Sequence, residues 1–534
     1  MAVAAAATPV LVSIDPLTLD DIIAVARRGR PASLTLDAAL RRRLERGPEI
    51  VRQMLDRGDV IYGVNTGFGA NVKFIIPDSE LERHQENALN VLSCGVGDPL
   101  PPDVVRAAIL LRANALARGY SAVRPIVIER LLDLLNHGIT PIVPRYGSVG
   151  ASGDLCPSAY VARAMLGRGS VLYGNSTVPA ADALAAEGIE PLRLHAKEGL
   201  ALLNGTTTMT ALASLVVWDA AYLLRIGLAM VAFSVEVLRA SPDYFDPLIH
   251  MIKHHPGQLR AAEMLLSMLT GSRLMVPLDE IRDRVAHETA RNGEVAVAHE
   301  SIQSPYSLRC APQGLGPMFE SLDQARATVE REANSVNDNP LIDPDGERVL
   351  HSGNFYGGHI ARAMDGLKLD LANLANWTHS LMAQLMDERF SNGLPPSLSP
   401  HPGVYQGFKG MQLVHTSLVV AMRHMSGSSL VHTLPTEAYN QDIVSLGAHA
   451  ALSAHEMTRL LRDSMAIALL AAAQAVDLRA GRNAPPADPL GAGTRPLYLA
   501  IRGISPYLDA DRPLETDIQR VSAALERQEL PVLQ

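Results

Sequence analysis

Residues 212–238 read Leu212-Ala-Ser-Leu-Val-Val-Trp-Asp219-Ala-Ala-Tyr-Leu-Leu-Arg225-Ile-Gly-Leu-Ala-Met-Val-Ala-Phe-Ser-Val-Glu236-Val-Leu238, the most apolar run in the chain. Asp219, Arg225 and Glu236 fall at helical spacings, so the run reads as a buried helix of a bundle. A membrane span wants about 20 uninterrupted apolar residues, which these charges deny it. The same periodicity predicts a helix over about 206–239 and further long helices over about 256–270, 318–339, 358–390, 409–425 and 441–479. Breakers such as Ser391-Asn-Gly-Leu-Pro-Pro396 separate several of them, and no fixed-period repeat suggests a solenoid.

Upstream the texture changes. A charged helical pattern over 17–57 is followed by the glycine-rich loop Tyr62-Gly-Val-Asn-Thr-Gly-Phe-Gly69, which cannot continue a helix. Helical periodicity returns over 80–92, 102–118 and 126–137, before a second such loop, Gly147-Ser-Val-Gly-Ala-Ser-Gly-Asp154. The reading is therefore a mainly α protein: an N-terminal mixed domain over 1–200 that carries both loops, a central helical bundle over 201–480, and a C-terminal loop and short helices over 481–534. The first boundary is set only to within tens of residues. Of the 534 residues 47% are hydrophobic and 4% aromatic, and this Ala- and Leu-rich, aromatic-poor balance favours helix over strand.

A formal net charge of −9 and the absence of basic tracts argue against a nucleic-acid partner. Cys94, Cys156 and Cys310 are too few and too scattered for a disulfide framework or a cysteine zinc site, which points to a reducing, cytoplasmic setting. The start, Met1-Ala-Val-Ala-Ala-Ala-Ala, lacks the basic flank of a signal peptide, and neither a membrane nor a metal is expected. His250 and His254 form an i, i+4 pair, with His255 beside it. Pro256-Gly257 breaks any helix there and no base accompanies the pair, so a structural junction is preferred.

An Ala-Ser-Gly tripeptide alone carries no signal. Here Gly147-Ser-Val-Gly-Ala-Ser-Gly-Asp-Leu155 stands in order with Tyr62-Gly-Val-Asn-Thr-Gly-Phe-Gly69, Leu203-Asn204-Gly205-Thr206, Tyr306-Ser-Leu-Arg309 and Asn440-Gln441-Asp442. That set resembles the aromatic amino-acid ammonia-lyase and 2,3-aminomutase family, which includes histidine ammonia-lyase, over nearly the whole chain. The resemblance implies that Ala151-Ser152-Gly153 cyclises on itself to 4-methylidene-imidazol-5-one (MIO), an electrophile that needs no external cofactor. The residue types suit this: Gly153 has an unhindered nitrogen able to reach the Ala151 carbonyl in a tight bend, and Ser152 supplies the hydroxyl lost on dehydration.

The chemical task is removal of an unacidic β-proton and expulsion of an amine from a small aromatic amino acid. Capture of the amine by an electrophile answers the second half. Tyr62 is the candidate base for the first half, and neighbouring donors or helix ends would have to lower its pKa from about 10. Arg309 suits the substrate carboxylate through two parallel hydrogen bonds. By resemblance Asn204 and Tyr306 sit beside the electrophile, Phe355 packs against it, and Gln303 and Gln441 are polar wall residues. The resemblance also implies a homotetramer whose active sites each draw on several subunits. Two departures from the family pattern concern specificity: Ser304 where an acidic residue commonly follows the glutamine, and Tyr356 where a histidine commonly follows the phenylalanine.

The family's selectivity pair falls on Val91-Leu92. Relatives acting on tyrosine typically show His-Leu there, those acting on phenylalanine Phe-Leu, and those acting on histidine Ser-His. Histidine lyases also place Glu where this chain has Gln441. An aliphatic pair offers no partner to a phenol or an imidazole, and a buried polar group left unpaired costs roughly 1–3 kcal/mol. The expectation is a lyase for a phenylalanine-like aryl-alanine, giving a trans-arylacrylate through an aliphatic wall rather than ring stacking. Three alternatives stay open: a phenylalanine or tyrosine 2,3-aminomutase, since His432-Thr-Leu-Pro-Thr-Glu-Ala-Tyr-Asn-Gln-Asp442 resembles the corresponding stretch of bacterial tyrosine aminomutases, a histidine ammonia-lyase, and an inactive helical binding or assembly protein.

Overall fold

In the computed structural model, which describes residues 8–286, 295–481 and 485–533, all of the 212–238 run but Leu238 lies in one helix, Thr207–Val237. The Met1–Ala7 start and Asn483 lie outside the described residues. This helix is long and apolar enough to cross a membrane by composition, but 78% of its most apolar window is buried inside the protein. Asp219 and Arg225 are half-buried, and Glu236 is fully buried, its carboxylate accepting the Gly491 N–H at 2.7 Å.

Nineteen α-helices are present among the described residues, accompanied only by short two- and three-stranded sheets. The predicted long segments correspond to Pro256–Leu269, Ala311–Ala333, Gly358–Met386, Lys409–Met425 and Gly447–Ala480. The helices expected to reach 339 and 390 end at Ala333 and Met386, and two further limits differ for reasons local sequence does not hold. Pro317 reads as a helix start, yet the helix begins before it at Ala311 and continues through it. Residues 441–446 do not join the last long helix, because Gln441 pairs with Thr436 in a hairpin and Leu446 turns left-handed to donate its N–H to the Val149 carbonyl at 3.1 Å.

The chain divides into two compact units, each assembled from separated stretches: Met1–Val217, Ala325–Asp365 and Ser428–His455 in the first, and Trp218–Gln324, Gly366–Gly427 and Glu456–Gln534 in the second. Consecutive domains at 1–200, 201–480 and 481–534 do not express this interleaving. Four of its boundaries fall inside the helices Thr207–Val237, Ala311–Ala333, Gly358–Met386 and Gly447–Ala480, where composition gives no linker signal.

The first unit joins the helices Leu81–Val91, Pro102–Ala117, Pro125–Asn136, Leu155–Met165 and Glu198–Leu203 to the small sheets. Antiparallel strands Val96–Pro99 and Pro144–Tyr146 pair immediately before the second glycine loop. The second unit is helical among its described residues. Its helices approach closely at small residues: a Cβ at Gly227 would lie 2.5 Å from Leu374, and one at Gly314 would lie 2.0 Å from the Trp377 ring.

Candidate functional site

The second glycine loop is bent hard between strand Pro144–Tyr146 and helix Leu155–Met165. Gly150, Ser152 and Gly153 have φ of 71°, 55° and 79°, and Gly150 and Gly153 bridge each other across the turn. Ser152 holds a left-handed conformation that non-glycine residues seldom adopt, so the surroundings must impose it. They do so through many bonds. The Asn204 Nδ2 donates to the Ser152 carbonyl at 3.2 Å, as does the Gly205 N–H at 3.3 Å. A Cβ on Gly153 would stand 2.1 Å from the Gly205 carbonyl oxygen, so only glycine fits there.

Beneath the bend lies Asp154, fully buried. Its carboxylate accepts from the Ser148 hydroxyl at 2.9 Å and the Met209 N–H at 2.7 Å. Burial pushes its pKa up to about 6, against those two bonds and the nearby Arg112 guanidinium. Arg112 is itself buried and donates to the Asn204 carbonyl at 2.8 Å. The Asn204 side-chain oxygen is buried and accepts no hydrogen bond among the described residues.

The bend opens onto a cavity of about 390 Å³ within the first unit. Ala151, Ser152, Gly153, Tyr62, Asn204 and Gln441 all line it, as do Val91 and Leu92. The Gln441 amide donates to the Ser152 hydroxyl at 3.4 Å. Opposite these groups the wall is apolar, formed by Phe68, Ala88, Leu155, Leu200 and Leu203 beside Val91 and Leu92. Phe68 adds an aromatic ring to the aliphatic wall expected at Val91-Leu92, and it stacks on His84 with centroids 4.3 Å apart. Its position in the Tyr62–Gly69 loop was the available signal. Leu200 and Leu203 stand four and one residues before Asn204 on the short helix that carries it, a spacing that also was readable.

Glu437 is the group that sequence reasoning missed. It lines the cavity from a hairpin in which Glu437, Ala438 and Tyr439 all have positive φ, 48°, 49° and 63°. Thr436 and Gln441 close this hairpin through paired backbone bonds. The carboxylate packs on Gly69, where any Cβ would strike it at 1.7 Å. Tyr62 lies beside it, accepting the Gly69 N–H at 2.9 Å. Burial raises the Tyr62 pKa and the Glu437 charge raises it further, with only the Gly69 N–H opposing. The expectation that neighbours lower this phenol is therefore corrected: within this chain they hold its proton on.

Four expected residues do not line the cavity. Phe355 is half-buried in the first unit, and Gln303, Tyr306 and Arg309 belong to the second. Tyr306 is 70% exposed, with the Arg309 guanidinium over its ring at 4.5 Å, and the Arg309 Nε donates to the Ser304 carbonyl at 3.0 Å. The histidine junction is structural. His250 is fully buried, with one ring nitrogen 3.2 Å from the Tyr244 carbonyl and the other 2.8 Å from the Gln258 amide.

The sequence pattern of the aromatic amino acid lyase family matches residues 17–503. Histidine ammonia-lyase from Geobacillus sp. (strain WCH70) is 41% identical over 488 residues, covering 91% of each chain. Among solved structures, tyrosine aminomutase from Streptomyces globisporus superposes with a TM-score of 0.92 at 36% identity over 98% of each chain. Phenylalanine aminomutase from Pantoea agglomerans gives 0.91 at 34% identity, covering 97% of this chain and 99% of that one.

Proposed function

Because the chain belongs to the aromatic amino acid lyase family, a family of carbon–nitrogen lyases and aminomutases, we propose that it eliminates ammonia from a phenylalanine-like aryl-alanine at the cavity beside Ala151-Ser152-Gly153. The observation that carries this reading is the meeting of the strained bend, the Asn204 acceptor and an apolar wall around one cavity. The bend also suits self-cyclisation: it is tight, its Ser152 is held left-handed, and Gly153 has no room for a side chain. Once formed from these three residues, MIO supplies an electrophilic methylidene carbon for the substrate amine.

The chain's own groups divide the remaining work. The unpartnered Asn204 Oδ1 accepts an N–H from the substrate amine. Gln441 holds the polar end of the cavity beside Ser152. The substrate ring rests on Phe68, Leu92, Leu155, Leu200 and Leu203, which exclude water, with the exposed Val91 at the edge of this wall. Tyr62 takes the β-proton, and because its surroundings raise its pKa, turnover rises on the alkaline side. Arg309 binds the substrate carboxylate, with Tyr306, Gln303 and Phe355 beside the reacting end.

Arg309, Tyr306 and Gln303 reach the cavity from another copy of the chain in a homotetramer. Supporting this, large apolar side chains stand exposed at Val91, Tyr306, Val431, Leu434 and Tyr439, at 70–76% of their surface. Closed symmetric assemblies bury such patches and complete shared sites.

Two other outcomes have specific support. The Glu437 carboxylate in the cavity and the histidine ammonia-lyase names of relatives favour an imidazole substrate. The solved aminomutases favour return of ammonia to the β-carbon. Incubation with phenylalanine, tyrosine and histidine separately, with chromatographic resolution of arylacrylates from β-amino acids, decides among the three. An arylacrylate from phenylalanine is expected. Dominant urocanate from histidine overturns the substrate assignment, and β-amino acid formed ahead of free acrylate overturns the lyase outcome.

A further inference from the structure

His84 stands behind the cavity wall without lining it. It is half-buried on helix Leu81–Val91, two helical turns before Val91. Its Nε2 lies 2.9 Å from the Thr66 carbonyl oxygen, which can only accept, so this nitrogen carries a proton. Burial lowers the imidazole pKa, so at neutral pH the ring is uncharged. It lies flat on Phe68, with centroids 4.3 Å apart and planes 10° from parallel. Phe68 lines the cavity, and Gly63 also stands close to its ring: a Cβ there would lie 3.1 and 3.3 Å from two of the ring carbons. The loop backbone has further anchors. The Gly63 N–H donates to the Thr66 hydroxyl and the Gln85 amide donates to the Gly63 carbonyl, both at 2.9 Å. The plate against Phe68 comes from His84, which has no part in the proposed chemistry.

We infer that His84 is a positioning residue for substrate selection: anchored on the Thr66 carbonyl, its imidazole braces the Phe68 ring as a fixed panel of the cavity and so limits the breadth of the aryl group the cavity takes. Phe68 is half-buried on a loop, and its side chain keeps one orientation only while its neighbours fill the space around it. Gly63 and His84 fill that space. Removal of the imidazole leaves a ring-sized void behind the panel, into which Phe68 swings, and the cavity widens at that wall. A fused two-ring aryl group then fits where a single ring fitted. The bond to Thr66 has a separate duty: it fixes the plane of the imidazole, and the stack passes that plane on to Phe68. The brace rests on these two contacts of His84; the selection it exerts rests on the aryl-alanine reading proposed above.

The test is a cycle of His84→Ala, Phe68→Leu and both changes together, read by thermal melts and by turnover. Melts need no substrate: because the rings brace each other, the double variant loses less than the sum of the single losses, and additive losses overturn the brace. Turnover compares phenylalanine with 3-(2-naphthyl)alanine. In His84→Ala the ratio of kcat/KM for phenylalanine over the naphthyl substrate falls by about tenfold or more. With Phe68→Leu already in place, the His84 change leaves the ratio where it was. An unchanged ratio in His84→Ala, or an equal further fall in the double variant, overturns the selective role. His84→Phe restores a stacked ring without the bond to Thr66 and retains the wild-type ratio, whereas His84→Gln restores a donor without a ring and behaves as His84→Ala does. The reverse order assigns the effect to the loop backbone and overturns the stack. If His84→Ala does not fold, His84→Gln takes its place in the cycle. Coupled melts in a protein inactive on both aryl-alanines count against the proposed reaction and not against the brace.

Discussion

Tyr62 is caught between opposing neighbours. Burial and the Glu437 carboxylate favour the neutral phenol, and the Gly69 N–H favours the phenolate. If Tyr62 is the base, kcat/KM rises with pH as the phenol ionises, with the rising limb on the alkaline side. Glu437→Gln removes one of the two raising influences, so its limb moves to lower pH; a limb that stays fixed or moves upward counts against the pairing of these groups. Tyr62→Phe loses most of its kcat while KM changes little, measured by acrylate absorbance; loss confined to KM assigns Tyr62 to binding instead. Motif order made Tyr62, Ser152, Asn204 and Gln441 legible, because each sits in a short pattern whose chemistry needs that residue type. Glu437 was less legible. Its importance comes from three consecutive left-handed residues that turn it onto Gly69, and nothing in Thr-Glu-Ala-Tyr demands that conformation.

At the scale of elements, long periodic helices were the readable part. Their apolar faces set a period that tertiary packing reinforces, and Lys409–Met425 and Pro256–Leu269 follow the expected limits to within a residue. The two- to four-residue strands were not readable, since runs that short carry no period. One packed set of helices has a pH signature. His415, fully buried on Lys409–Met425, sits 3.3 Å from His379 of Gly358–Met386, ring nitrogen to ring nitrogen, and its other nitrogen lies 3.0 Å from the Ser464 hydroxyl on Gly447–Ala480. Burial, aided by His379, lowers its pKa from 6.5 to about 3. A depressed folded-state pKa contributes stability that is present above the unfolded value and lost as pH falls toward the folded one. The protein therefore loses roughly 3–5 kcal/mol from this site between neutral pH and pH 3. Thermal melts of His415→Gln, which keeps a hydrogen-bonding side chain without the titration, should show a flatter acid limb than wild type; parallel limbs would refute the assignment.

For the whole molecule, Arg309, which we propose binds the substrate carboxylate, is not among the residues that line the cavity of the first unit. A shared site predicts complementation: Tyr62→Phe and Arg309→Ala, each with little activity alone, regain activity when coexpressed, because some sites then carry Tyr62 from one copy and Arg309 from another. Sedimentation should give four copies, and an active monomer would contradict the shared site. The composition is consistent with this division of labour. Only 4% of the chain is aromatic, yet Tyr62 and Phe68 both face the cavity.

The central claim is that Ala151-Ser152-Gly153 becomes the electrophile. Ring closure through the Gly153 nitrogen and loss of the Ser152 hydroxyl each remove one water. The mass of the peptide containing residues 151–153, isolated from active enzyme, therefore falls short of the encoded sequence by two water molecules, while the same peptide from Ser152→Ala lacks the deficit expected for a complete ring. An unmodified tripeptide in fully active wild-type enzyme, or full activity in Ser152→Ala, would contradict the account.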